Sequence, residues 1–255
     1  MISLESLKDI GRIKGLNLGQ AEKDYLLDLT LSIISRATKD ELIFKGGTCL
    51  NRFYRLARFS EDLDFSQQKE MDKNRLSDKI RHDLRSFGID SELLQKKEPF
   101  NSVLITLRTK GPLYSGKQQT VSKIQIDINI KSAVEIQPIL QKYASMYMEV
   151  PAFSVLTMDE REILAEKIRA VLTRNKPRDA YDLWFLLSKG VELDMKLVDK
   201  KLEYYSISFD MKEFNKSLEN KKGLWENELK SLVSNPPEFE AVKKQIISKL
   251  KAALN

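Results

Sequence analysis

Cysteine and histidine are nearly absent: the 255 residues hold one of each, Cys49 and His82. One cysteine excludes an intramolecular disulfide, and so few nitrogen and sulfur donors argue against a zinc site. No apolar run approaches the roughly 20 residues that a membrane-spanning helix needs. The opening stretch, MISLESLKDIGRIKG, lacks the basic region, apolar core and small-residue cleavage site of a secretory leader. Internal repeats and low-complexity segments are also missing. These absences together set the expectation of a cytoplasmic protein with no membrane partner.

Charge is plentiful and nearly balanced, 43 basic against 37 acidic residues, for a formal net of +6. That is a moderate bias toward polyanions and leaves the partner open. A hydrophobic content of 42% with 31% charged residues describes a globular chain long enough to bury a real core.

Periodicity gives the organisation. Leu26, Leu27, Leu29, Leu31, Ile33 and Ile34 fit a largely buried helix over 19–37. Glu41 to Phe44 reads as a short strand that ends at Gly46-Gly47. Leu50, Phe53, Tyr54 and Ala57 predict a helix from Thr48 or Cys49 to Ala57. Strand character returns at DLDFS, and a polar helix over 72–87 stops at Gly88. Two strands follow at 102–109 and 121–131, joined by the loop KGPLYSGKQQ. In the second, Ile124, Ile126, Ile128 and Ile130 face one side, with Gln125, Asp127 and Asn129 on the other. From Thr157 onward only helices are predicted. Thr157 and Glu160 form a capping box, Pro177 opens a second helix that ends at Gly190, and amphipathic segments continue to the end. The expected fold class is therefore α+β: a small mixed sheet flanked by helices over residues 1–150, then a helical domain over 151–255.

The chemistry concentrates in FKGGTCLNRFYRLARFSEDLDFS, residues 44–66. Asp62 and Asp64 share one strand face and Leu63 and Phe65 the other. Two carboxylates that close suit a hard cation such as Mg²⁺, although an isolated D-x-D is more often a solvated strand face. Gly46 and Gly47 supply a tight turn, or, with Thr48 at a helix N-terminus, backbone N–H groups for a phosphate. The spacing is not that of a Walker P-loop. A strand, a glycine turn, a short helix and a returning strand can bring both features to one sheet edge. Asp127, on the polar face of the isoleucine strand, is the candidate third carboxylate of a two-ion site.

These residues carry a resemblance. KGGTCL followed by RFSEDLDF resembles the first motif of the polymerase-β-type nucleotidyltransferases: a glycine pair, a spacer, then D-x-D. More closely, the chain is similar to AbiEii-type nucleotidyltransferases, the toxin halves of type IV abortive-infection toxin–antitoxin pairs. EKDYLLDLTL (22–31) resembles that family's N-terminal helix, and LWENELKSLV (224–233) its C-terminal helix. AEKIRAVLTRNKPRDAYDLWFLL (165–187), the most specific segment, resembles its lysine-to-R-D-x-x-D-L stretch.

The resemblance implies that Gly46, Gly47 and Thr48 hold a nucleoside triphosphate and that Asp62 and Asp64 bind Mg²⁺, with Asp127 as the third acid and two ions in the site. It implies that Lys167 neutralises the triphosphate and that Asp182 is the essential aspartate of the C-terminal motif. Lys167 lies one step from the apolar stripe of Leu164, Ile168 and Val171. Ser60 stands open between touching a phosphate and capping the strand turn. Arg178 and Asp179 are expected to form local ion pairs. His82 is expected on the surface, Cys49 packed behind the glycine turn, and the aromatics Tyr204, Tyr205, Trp225 and Phe239 in the core.

The implied activity is nucleotide transfer to an RNA hydroxyl, the 3′ end of tRNA, by a toxin with a cognate antitoxin as a further partner. Two other readings stay open here: transfer to a protein or antibiotic hydroxyl, and a non-catalytic binding module that keeps the fold.

Overall fold

Alternating apolar residues build one mixed sheet in a computed structural model that describes residues 1–97 and 101–254. Its seven strands run in the order β3-β4-β5-β2-β1-β7-β6. They are β1 (Leu42–Lys45), β2 (Asp62–Gln67), β3 (Asp90–Lys97), β4 (Ser102–Lys110), β5 (Ser122–Asn129), β6 (Ile139–Tyr143) and β7 (Phe153–Thr157). β2 pairs parallel with β5, and β1 pairs parallel with β7; the other pairings are antiparallel. Helices α1 (Leu4–Lys14), α2 (Leu18–Ala37), α3 (Gly46–Tyr54) and α4 (Lys73–Ser86) accompany them, with α2 lying against β2, β5 and β7.

The chain divides into two compact units. The sheet unit takes residues 1–53, 59–133 and 138–157; the second takes 54–58, 134–137 and the chain from Met158 onward. The second unit is helical: α5 (Glu160–Thr173), α6 (Pro177–Lys189), α7 (Met195–Glu203), α8 (Met211–Glu219), α9 (Lys222–Leu229) and α10 (Phe239–Leu254). α5 packs on α6, α7 and α8, and α6 on α9 and α10. Among the described residues no helix is long and apolar enough to cross a membrane.

Much of this follows the periodicity. Ile124, Ile126 and Ile128 are fully buried while Gln125, Asp127 and Asn129 are half-buried; Ile130, past the strand end, is exposed. Pro177 opens α6 at a position with no N–H to lose, and Gly190 closes it at φ 84°. Trp225 and Phe239 meet edge to face at 5.4 Å in the helical core, His82 is exposed and Cys49 buried. Tyr204 and Tyr205, expected in the core, are instead half-buried, the first donating to Glu135 at 3.1 Å and the second lying under Arg169.

Elsewhere the structure differs. α3 ends at Tyr54 rather than Ala57, because Arg55 turns to φ 67°. The capping box at Thr157 does not form. Thr157 ends β7, paired with Phe44 of β1, and its hydroxyl donates to the Ile139 carbonyl at 3.1 Å. Asp159 caps α5 instead, accepting from the Arg161 N–H at 2.9 Å. Sheet pairing outcompeted the local cap. β3, β6 and β7 were not expected from the sequence; β6 is an edge strand whose Ile139 and Leu140 are exposed, so it lacks the inward alternation that marks a strand.

α2 is buried round most of its circumference, acids included. Glu22 accepts from the Leu113 N–H at 2.7 Å and from the Ser122 hydroxyl, which fixes the loop before β5. Arg52 of α3 reaches Asp24 at 2.5 Å and Asp28 at 2.7 Å. Lys14 also pairs with Asp24, the Tyr147 hydroxyl donates to Asp24 at 3.0 Å, and the hydroxyls of Tyr143 and Ser145 donate to Asp28. Burial and the adjacent carboxylates push both tyrosine pKa values well up, so both stay donors.

This network joins α1, α2, α3 and the 143–147 segment in the sheet unit. Arg52→Met leaves the two acids without their shared guanidinium. It is expected to cost about 3–5 kcal/mol in denaturant unfolding; a loss below about 1 kcal/mol would show that the network is dispensable.

Candidate active site

The carboxylates come together because β2 pairs with β5. In that parallel ladder Asp64 lies opposite Asp127, and Asp62 opposite Gln125. Adjacent strands are about 4.8 Å apart, and paired residues point to one face. Asp62, Asp64 and Asp127 therefore share a face, with Leu63, Phe65, Ile126 and Ile128 buried on the other. On the far side of β2, Lys45 of β1 lies opposite Asp64.

The glycine turn and the carboxylates form one structure. Gly46 has φ 75°, and a Cβ placed on it would lie 2.9 Å from both Cβ and Cγ of Asp64. Glycine is thus required twice, by backbone conformation and by the approach of a carboxylate. Gly47 follows in the first turn of α3 and is buried. Thr48 is 1% exposed; its hydroxyl donates to the Asp62 carbonyl at 2.6 Å and lies 2.9 Å from the Ser60 hydroxyl. Thr48 and Ser60 thereby bind the start of α3 to the start of β2. Burial, aided by the charge of Asp64, pushes the Cys49 thiol well up, so it is no ready nucleophile.

Lys23 is a residue that sequence reasoning passed over. It belongs to α2, donates to the Lys123 carbonyl of β5, and interacts with Asp62 and Glu61. Burial lowers its pKa, against the upward pull of those two carboxylates. Its only sequence signal was its place in EKDY, as that of Lys45 was its place before the glycine pair.

An all-oxygen donor set on a half-buried face suits a hard cation. Among the described residues, no three or more His, Cys, Asp and Glu side chains are gathered into a cage for a metal. Mg²⁺ fits such a site, since it is commonly held by one or two carboxylates together with substrate phosphates and water.

A second cluster lies within the helical unit. Lys167 of α5 is buried, its Nζ 2.9 Å from Asp179 Oδ1 and 2.6 Å from Asp182 Oδ2. Arg58 grips Asp182 with two hydrogen bonds of 2.6 and 2.7 Å, and Arg174 grips Asp179 with two of 2.7 and 2.9 Å. Burial alone would raise the pKa of Asp182, but Arg58 and Lys167 outweigh it and hold it below the usual range. Asp179 is likewise held well below the usual range, against burial, by Lys167 and Arg174.

Both oxygens of Asp182 are thus engaged by cations, and its geometry is that of a group that positions Lys167. Asp179 forms the expected ion pairs, and Arg178 pairs with Glu228 at 3.7 Å. Arg58 opens the RFSEDLDF motif, but its pairing had no sequence signal, its partner lying 124 residues away.

Comparison with known proteins identifies the family. The family described as nucleotidyl transferase AbiEii toxin, type IV TA system, matches residues 31–245. Among solved structures, MenT4, a nucleotidyltransferase toxin from Mycobacterium tuberculosis H37Rv, superposes with a TM-score of 0.66 at 17% identity, covering 100% of this chain and 90% of that one. JHP933 from Helicobacter pylori superposes at 0.60 with 18% identity, covering 92% and 91%. At such identities the two likenesses establish a shared fold. No protein of curated function matches the chain significantly.

Two outcomes follow from the geometry. Gly46→Ala is expected to lose about 1–3 kcal/mol of stability and to displace Asp64, so that activity falls further than stability; a fully active variant would contradict the close approach. The depressed pKa values of Asp179 and Asp182 contribute stability that is present above the unfolded value of about 3.9 and lost as pH falls through the folded values. Asp179→Asn should therefore be less stable at pH 7, and its urea midpoint should fall less than that of wild type between pH 5 and pH 3. Parallel curves would refute this.

Proposed function

The chain belongs to the AbiEii family of nucleotidyltransferase toxins, and from that premise we propose that it transfers a nucleotide to the 3′ end of tRNA in a Mg²⁺-dependent reaction. The family carries the enzyme class, the nucleoside triphosphate as co-substrate and a cognate antitoxin. The acceptor, the metal dependence and the site residues are our reading. The observation behind it is the contact of Gly46 with Asp64, beside Asp127: a glycine turn at a helix start and paired carboxylates on one sheet.

In this reading the acceptor hydroxyl oxygen forms a bond to the α-phosphorus, and the bond from that phosphorus to the β-phosphate oxygen breaks. Asp127 takes the hydroxyl proton, and pyrophosphate leaves with the bonding electrons. Asp62 and Asp64 would hold Mg²⁺, whose charge would stabilise the transferring group. Gly46 and Gly47 let backbone N–H groups at the start of α3 approach the triphosphate, while Thr48 and Ser60 hold that turn in place. Lys167 is the lysine that the family resemblance assigns to the triphosphate, and Asp179 and Asp182 orient its ammonium. Arg58 and Arg174 keep those two acids ionised. Positioning and electrostatics supply most of the rate in such transfers.

The test is incubation of the protein with total RNA, Mg²⁺ and each labelled nucleoside triphosphate in turn. Label is expected on tRNA, dependent on Mg²⁺ and lost in Asp62→Ala. Label on no RNA would shift the acceptor to a protein or small-molecule hydroxyl. In cells, expression should slow growth, and Asp62→Ala or Lys167→Ala should relieve it; equal toxicity of both variants would leave a non-catalytic role.

A further inference from the structure

β1 lies inside the sheet between β2 and β7, and its last residue is charged. Lys45 is only 7% exposed. A buried ammonium is costly unless an opposite charge or several hydrogen bonds answer it. The register sets Asp64 directly across from Lys45, and Asp127 directly across from Asp64. Directly opposed residues share a face, with Cβ atoms about 5 Å apart. Lys45, Asp64 and Asp127 thus form one row over three adjacent strands. The residue after Lys45 is Gly46, whose missing Cβ admits the Asp64 side chain.

We propose that Lys45 is a built-in counter-cation of this row, a positioning residue that holds Asp64 beside Asp127 before a metal arrives and then shares the carboxylate with it. The proposal rests on the reading of Asp62, Asp64 and Asp127 as metal ligands. Neighbouring carboxylates on a half-buried strand surface repel at the low effective dielectric there. A fixed positive charge in the row offsets that repulsion and lets them stay side by side while the site is unloaded. Lys23 answers Asp62 and Glu61 from α2, but its ammonium also donates to the Lys123 carbonyl. Lys45 is the cation aligned with the Asp64–Asp127 pair.

A double-mutant cycle in metal-free buffer decides the proposal, with denaturant unfolding of the full chain as wild type, Lys45→Met, Asp64→Asn and both together. Lys45→Met removes the charge and keeps the length. Each single change removes one member of the opposed pair and keeps the other's charge, so the double variant is expected to unfold at a higher denaturant concentration than the summed single losses give. Strict additivity overturns the proposal. Should Lys45→Met alone fail to fold, the double variant is expected to fold, and its failure also overturns it.

Magnesium titration calorimetry gives the second readout. With one positive charge gone, Lys45→Met is expected to bind the ion about tenfold tighter than wild type, and Lys45→Arg to bind as wild type does. Equal or weaker binding by Lys45→Met overturns the sharing of the carboxylate. The metal reading is tested apart from this: if Asp64→Asn binds Mg²⁺ as well as wild type, Asp64 is not a ligand, while the unfolding cycle still decides the role of Lys45.

Discussion

Ionised groups held out of water must be answered by opposite charge, and that constraint shapes this protein more than any single hydrophobic contact. The sheet unit buries Asp24 and Asp28 against Arg52 and Lys14. The helical unit buries Asp179 and Asp182 against Lys167, Arg58 and Arg174. In both, a carboxylate on one segment is shared by cations from others, so each cluster fixes several segments at once. Well-packed apolar side chains can be equally stable. The ionic solution adds orientation: a guanidinium or ammonium has a fixed set of donors, and its partners must come to them.

That orientation is what a phosphoryl-group chemistry needs. Lys167 is constrained by two acids, each steadied by its own arginine, so its ammonium has a defined place. Asp64 is constrained differently, through backbone. It sits over a residue with no side chain, in a central strand whose neighbours set its height and facing. One cluster is built from salt bridges and the other from sheet register.

The difference also explains what could be read from sequence. Asp62, Asp64 and Asp127 were legible because strand alternation is local: isoleucines on one face assign the polar residues to the other. Pro177 and Gly190 were legible for the same reason, each acting on its own φ and hydrogen bonds. Thr157 misled because T-x-x-E satisfies a local rule, while the strand that claimed it draws on partners at Phe44 and Ile139. Lys45 and Arg58 lay inside the motif, but their partners were not legible. The importance of Lys45 is a matter of register, and that of Arg58 depends on a partner in another segment; neither quantity is written in neighbouring residues. The family resemblance supplied the roles proposed for Lys167 and Asp182, and the structure added the arginines paired with the acids around that lysine.

Arg58 has one more implication. It lies in a five-residue stretch, 54–58, that belongs to the helical unit yet is encoded between α3 and β2 of the sheet unit. Residues 134–137 do the same between β5 and β6. The two units are distinct bodies, but the polypeptide is interleaved between them, so no single cut yields two whole pieces. A fragment stopping at Thr157 would carry Arg58 without Asp182, and the complementary fragment would carry Asp182 without its arginine. Recombination or truncation at that joint would break a salt bridge inside one unit instead of freeing it.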